Sequence, residues 1–149
     1  MREDKKMKIR KANKKDFEEF YQMRVDWYNE DKLKVPSRKE IKKEFDKNIS
    51  SKDNLLLFAE DKEILGFLHG TITKNLWVKR GRIEDVYIKK KFRGKGIGTE
   101  IINYFIDWLK LRKFDKVNLM VQADNKRAFK LYSKMGFKLI QHYLSKKLK

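Results

Sequence analysis

Residues 89–100 read KKKFRGKGIGTE. Three of the chain's seven glycines stand at positions 94, 96 and 98, between a basic run and a long apolar-periodic segment. A glycine-rich turn between a strand and a helix has one strong physical use. Backbone N–H groups at the positive end of the helix converge on a phosphate, and the missing Cβ permits close approach. Three loop patterns compete for this stretch. A Walker loop, G-x-x-x-x-G-K-[ST], needs glycine where Thr99 stands. A dinucleotide fingerprint, G-x-G-x-x-G, matches Gly94 and Gly96 and then also meets Thr99. The pattern [RQ]-x-x-G-x-[GA] is satisfied by Arg93, Gly96 and Gly98, with Gly94 as an extra glycine.

The elements around the loop follow from periodicity. On its N-terminal side, RIEDVYIKK (82–90) is a β-branched run that predicts a strand. On its C-terminal side, Ile97, Ile101, Phe105, Trp108 and Leu109 predict a long amphipathic helix. Further upstream, NLLLFAE (54–60) and EILGFLHGTIT (63–73) predict a hairpin turning at Asp61-Lys62. Asn75 and Gly81 punctuate the next turn, with Trp77 between them read as a packing residue. At the start, MKIRK (7–11) predicts a first strand. Asn13 then caps a helix whose Phe17, Phe20, Tyr21, Met23 and Trp27 recur at helical spacing. After Pro36, Ser37 and Glu40 form a capping-box pair ahead of Ile41, Phe45 and Ile49. Downstream, KVNLMVQ (116–122) predicts a strand and NKRAFKLYSKMG (125–136) a helix stopped by Gly136. FKLIQHYLSKKLK closes the chain as one strand or two. The order β-α-α-β-β-β-α-β-α-β fits a mixed sheet with helices on both faces.

Composition narrows the chemistry. At 149 residues and 40% hydrophobic, the chain is long and apolar enough for one folded domain. Residues 1–6 read as an N-terminal extension. Cysteine is absent, which excludes disulfides, thiolate zinc sites and a cysteine nucleophile. With His69 and His142 as the only imidazoles, no metal site is expected. The charged first ten residues lack the apolar core of a signal peptide, and no run reaches the roughly 18 apolar residues of a membrane span. The expectation is a soluble, cytoplasmic protein without a membrane partner. The formal charge of +18 fits an anionic partner or cofactor, or a lysine-rich solvated surface. Lysines spread along the chain with acids among them favour the solvated surface, so nucleic acid is not the expected partner.

The stretch IEDVYIKKKFRGKGIGTEII resembles the fourth strand, pyrophosphate loop and following helix of the GNAT superfamily of N-acetyltransferases. A second stretch, VQADNKRAFKLYSKMGF, is similar to a later family element through Asn125, Ala128, Tyr132, Gly136 and Phe137. The resemblance implies an α/β (α+β) fold: a mixed, mostly antiparallel central sheet of six to seven strands flanked by about four helices, forming one N-acetyltransferase domain over 1–149. It implies acetyl-CoA as cofactor, its pyrophosphate against the N–H groups of Lys95, Gly96, Ile97, Gly98 and Thr99, with charge from Arg93 and Lys95. Val86, Tyr87 and Ile88 would bond the pantetheine arm through main-chain groups, and Asn125 would contact CoA, cap its helix, or both.

The implied reaction is direct attack of a neutral amine on the thioester, in a ternary complex. A lysine-like amine, with pKa about 10.4, is neutral in only about one molecule in a few thousand at pH 7. A base is therefore useful. Glu84 is the preferred candidate and Asp85 the second; strand alternation places them on opposite faces unless a bulge intervenes. Tyr132 is the family-matched general acid for the leaving thiolate, seven residues from Asn125 and so on nearly the same helical face. The acceptor would lie near WYNEDKLKVP (27–36), where Trp27, Tyr28, Glu30 and Asp31 offer aromatic and acidic groups to a cation. A polyamine-like small amine is slightly favoured. A protein N-terminus or lysine, and a non-catalytic basic binding module, stand as alternatives. Family members are often dimers, but no sequence feature decides between monomer and homodimer.

Overall fold

A computed structural model describes residues 7–149; the extension expected over 1–6 lies outside the described residues. Two compact units make up the chain, a larger one ending at Leu119 and a smaller one from Met120 to Lys149.

The larger unit is built on a five-stranded sheet in the order β1-β2-β3-β4-β5. Its strands are β1 (Lys8–Lys11), β2 (Asn54–Asp61), β3 (Glu63–Lys74), β4 (Lys79–Ile88) and β5 (Lys116–Leu119). The first four pair antiparallel, and β5 pairs with β4 in parallel. Two helices, α1 (Phe17–Glu30) and α2 (Arg38–Ser50), separate β1 from β2, and α3 (Ile97–Leu111) makes the crossover from β4 to β5.

Local chemistry explains the helix starts. Asn13 Oδ1 accepts from the Lys15 N–H at 2.9 Å, while Asp16 Oδ2 accepts from the Asn13 N–H at 2.8 Å, opening the 3-10 turn that leads into α1. Ser37 and Glu40 close the expected capping box at α2: Glu40 N–H donates to Ser37 Oγ at 3.1 Å and Ser37 N–H to Glu40 Oε2 at 2.8 Å.

Alternation along β3 separates two packed faces. Phe67 points to α1, its ring centroid 5.2 Å from that of Phe20, and Phe20 lies 5.3 Å from Phe45 of α2. These buried rings, with Phe58, form the core on that face; each contributes roughly 1.5–3 kcal/mol of transfer free energy. Gly70 points the other way, where a Cβ would come within 2.6 Å of the Phe105 ring of α3. Glycine there lets α3 lie close against the sheet, with Ile101, Ile102, Phe105 and Leu109 buried.

The smaller unit holds one helix, α4 (Lys126–Lys134). Asn125 Oδ1 caps it, accepting from the Ala128 N–H at 3.1 Å, and Gly136 takes a positive φ of 96° just past its end. No helix among the described residues is long and apolar enough to cross a membrane.

Three sequence expectations need correction. Among the described residues the sheet has five strands, not six to seven, because residues 137–149 form no strand. Leu139, Ile140, Tyr143 and Leu144 all stand exposed, so the segment buries no apolar face that would offset the entropy of ordering a strand. The strand expected over 116–122 ends at Leu119. Finally, Trp77 does not pack: it is 89% exposed at the tip of the β3–β4 hairpin. Asn75 makes that tip by accepting the Trp77 and Val78 N–H groups on Oδ1, at 2.8 and 2.9 Å, which holds the intervening side chains outward.

Candidate active site

The site is organised by one irregularity in β4. His69 of β3 pairs with Asp85 of β4, but Gly70 pairs with Ile83, so Glu84 is an extra residue in the ladder. This bulge overturns strict alternation. Phe67, His69 and Thr71 share one face of β3. Glu84 Oε1 accepts from Thr71 Oγ1 at 2.9 Å, and Asp85 faces His69. Both carboxylates therefore project to the α1 face, not to opposite faces.

The two carboxylates have different environments. Glu84 is exposed, and its Oε1 also lies 3.2 Å from Arg82 Nε. Asp85 belongs to a charge cluster under α1. Arg24, only 5% exposed, donates from Nη2 to Asp85 Oδ2 at 2.8 Å and to Glu44 Oε2 at 2.7 Å, while its Nε donates to Glu44 Oε1 at 3.1 Å. His69 Nδ1 lies 3.8 Å from Asp85 Oδ2, and its Nε2 lies 2.6 Å from Asn54 Oδ1. Burial alone would push the Asp85 carboxyl up; the His69 ring and the Arg24 guanidinium outweigh it and hold the group below the usual carboxylate range.

That pairing has a measurable consequence. Asp85→Asn removes one of the two carboxylate charges paired with the buried Arg24 guanidinium and is expected to cost about 2 kcal/mol at pH 7. Because the folded-state value is depressed, this contribution is present above the ordinary carboxylate value of about 3.9 and lost as pH falls through the lower folded value. Urea titrations of both proteins should show the gap closing only in that acidic range. A gap unchanged from pH 7 to pH 2 would mean that the Asp85 charge is not what stabilises.

Just past the bulge, the sheet opens. The β4–β5 ladder runs from Arg80↔Lys116 to Ile83↔Leu119 and stops, while β4 continues to Ile88. Among the described residues, Glu84 to Ile88 have no ladder partner on the β5 side. That backbone edge contains Val86, Tyr87 and Ile88 and can take main-chain hydrogen bonds from an extended ligand.

The strand edge leads to the glycine run. A 3-10 turn over Lys90–Phe92 ends at Arg93. Gly94 and Gly96 have φ of 79° and 81°, and Gly96 is the residue that opens α3. The first intrahelical bond runs from Glu100 N–H to Gly96 O at 3.0 Å. The N–H groups of Ile97, Gly98 and Thr99 therefore sit in the first turn, where no intrahelical acceptor exists. A Cβ at Gly94 or Gly96 would meet nothing within 4 Å, so the space before the helix is open. Left-handed backbone, first-turn N–H groups without intrahelical acceptors and the helix dipole together fit a diphosphate.

A family assignment now rests on more than the loop. The model of the acetyltransferase (GNAT) family matches residues 15–137. The chain belongs to the GNAT acetyltransferase family. An uncharacterized N-acetyltransferase of Archaeoglobus fulgidus is 27% identical over 132 residues, covering 85% of this chain and 90% of that protein. One of Methanocaldococcus jannaschii is 40% identical over 55 residues, covering 37% of this chain and 24% of that protein, so the match takes in about a quarter of the relative's length. The solved structure of AAC(6')-Iy in complex with the bisubstrate analog CoA-S-monomethyl-acetylneamine shares the fold, with a TM-score of 0.80 at 14% identity over 96% of this chain and 98% of that one. Acetyl-CoA is the cofactor of this family's fold, and the opening of β4 with the cap of α3 has the donors to hold it.

The remaining sequence candidates fall in two places. In the larger unit, the end of α1 packs on β4. Trp27 stacks on Tyr87 with centroids 5.7 Å apart and planes at 16°, and Trp27 Nε1 donates to Asp31 Oδ2 at 2.9 Å. Glu30 accepts from Tyr87 Oη at 2.8 Å and from Arg93 Nη2 at 2.7 Å. Tyr28 is half-buried beside them in sequence. In the smaller unit, Tyr132 is half-buried with its ring edge-on to Phe137, centroids 5.8 Å apart, and burial pushes its phenol up.

Sequence reasoning missed Arg24, Glu44 and His69. Arg24 had a visible signal: it lies four residues after Phe20 and three before Trp27, on the apolar stripe of α1. A cation at a core position asks for buried acids, and Asp85 and Glu44 supply them.

Proposed function

We propose that residues 1–149 act as one N-acetyltransferase domain that moves the acetyl group of acetyl-CoA to a primary amine, with Glu84 as base and Tyr132 as acid. The observation that carries this reading is the position of Glu84. It occupies the bulge at the point where β4 parts from β5, one strand segment ahead of the glycine cap of α3.

Acetyl-CoA supplies an activated acetyl thioester. The main-chain edge of Val86 to Ile88 would orient the pantetheine arm, and the first-turn N–H groups of α3 would hold the diphosphate. Glu84, solvent-reachable, removes a proton from the acceptor amine directly or through water. Asp85 is the weaker base candidate because Arg24 and His69 keep it ionised and bonded. Tyr132 donates the proton that the departing thiolate needs, and its raised phenol stays protonated at neutral pH. Asn125 Oδ1 is engaged as the α4 cap, which supports a positioning role for it.

The acceptor is a small cationic amine in this reading. Aromatic Trp27 and Tyr28, with acidic Asp31, stand at the end of α1. The same groups could serve a peptide amine, and a screen separates the two. Acetyl-CoA is offered with polyamines, amino acids, aminoglycosides and peptides while free thiol is read. Polyamines should give the fastest release; release only with peptides would overturn the small-amine assignment.

Glu84→Gln tests the base. Activity should fall about 100-fold, most steeply at low pH, where fewer acceptor amines are neutral. A loss that is uniform across pH, or absent, removes Glu84 from that role.

A further inference from the structure

We propose that Glu30 is a positioning residue for the cofactor rather than a binding group for the acceptor. Its carboxylate ties together the two elements that meet acetyl-CoA. The proposal rests on the reading of the glycine run as the CoA diphosphate loop.

Both oxygens of Glu30 are engaged. Oε1 accepts from Tyr87 Oη at 2.8 Å, and Oε2 accepts from Arg93 Nη2 at 2.7 Å. Tyr87 belongs to the part of β4 beyond the β5 ladder, and Arg93 begins the Arg93–Gly98 pattern. Arg93 is held from a second side, since its Nε donates to the Ile88 carbonyl at 2.8 Å. Its guanidinium also lies 5.3 Å from the centroid of the Tyr87 ring. The planar fork of arginine thus spans the last residue of β4 and the last residue of α1 at once, which a lysine could not do.

The consequence is geometric. The segment from Tyr87 to Arg93 turns from strand to loop through the 3-10 turn, and Glu30 fixes both of its ends. Gly94 and Gly96, which follow, have no side chains to hold them. Their position relative to β4 is set by Arg93. Charge supports the same conclusion: a carboxylate already matched by a guanidinium and a phenol has little attraction left for a cationic acceptor. The Arg93 guanidinium, bound to a carbonyl and a carboxylate, is a brace for the loop before it is a phosphate ligand.

The test is a binding cycle read by calorimetric titration with CoA. Glu30→Gln keeps size and shape but presents an amide to two donors, and should weaken CoA about 10-fold. Arg93→Met should weaken it by a similar factor. The double variant should also lose about 10-fold, not 100-fold, because the two residues act as one unit. Tyr87→Phe removes a single hydroxyl and should lose about 3-fold, which keeps the test valid if another variant folds poorly. In steady-state assays, Glu30→Gln should raise the KM for acetyl-CoA about 10-fold with kcat and the acceptor KM within twofold. Unchanged CoA affinity in Glu30→Gln with a raised acceptor KM would overturn the proposal, as would losses that multiply in the double variant. Wild-type protein that binds no CoA would sink the loop reading itself and this proposal with it.

Discussion

Gly96→Leu is expected to remove measurable acetyl-CoA binding, a loss of at least ~100-fold or about 2.8 kcal/mol, in a protein that still folds. Gly96 sits at φ 81°, where an L-residue costs about 1–2 kcal/mol. That backbone cost is the main structural penalty, because a Cβ there meets no protein atom within 4 Å. The same open space is where a diphosphate must approach the first-turn N–H groups of α3, so the leucine blocks the ligand and little else. Gly98→Ala is the control. Its Cβ would stand 3.8 Å from Ile88 Cγ1, an ordinary contact, and the pattern [RQ]-x-x-G-x-[GA] accepts alanine there. Affinity within about threefold of wild type is expected for it. Calorimetry with CoA reads both variants; retained affinity in Gly96→Leu would refute the phosphate loop.

Tyr132→Phe should lower kcat by about 100–1,000-fold and leave the CoA dissociation constant within about twofold. Phenylalanine keeps the edge-on contact with Phe137 and removes only the hydroxyl. The expected split follows from the role: a proton delivered to the leaving thiolate matters in the transition state and not in the bound ground state. Burial holds the phenol above its usual value, so it carries its proton throughout the neutral range. Stopped assays at saturating acetyl-CoA give kcat, and titration gives affinity. Unchanged turnover would remove Tyr132 as the acid.

The parts of the fold that rest on local chemistry were legible in the sequence. The capping box at Ser37 and Glu40, the hairpin at Lys62 and the start of α3 at the glycines each depend on residues a few positions apart. What could not be read depends on residues far apart. The bulge at Glu84 arises in the register between β3 and β4, and alternation alone assigned the two carboxylates to opposite faces. The Arg24 cluster joins residues 24, 44, 69 and 85, and the Glu30–Arg93 pair joins α1 to the loop. Glu30 and Arg93 were each singled out by residue type, one for the acceptor and one for the cofactor, yet pairing between them is a tertiary fact. The closing segment misled because its apolar content suggested a strand, whereas Leu139, Ile140, Tyr143 and Leu144 stand exposed.

The most direct test of the central claim mixes the protein with acetyl-CoA and a panel of amines and follows free thiol beside the mass of the amine. Thiol release matched one for one by an acetyl-amine, saturable in acetyl-CoA and lost in Gly96→Leu, is the expected result. No release above the uncatalysed rate with any amine, together with no heat on titration with CoA, would contradict it.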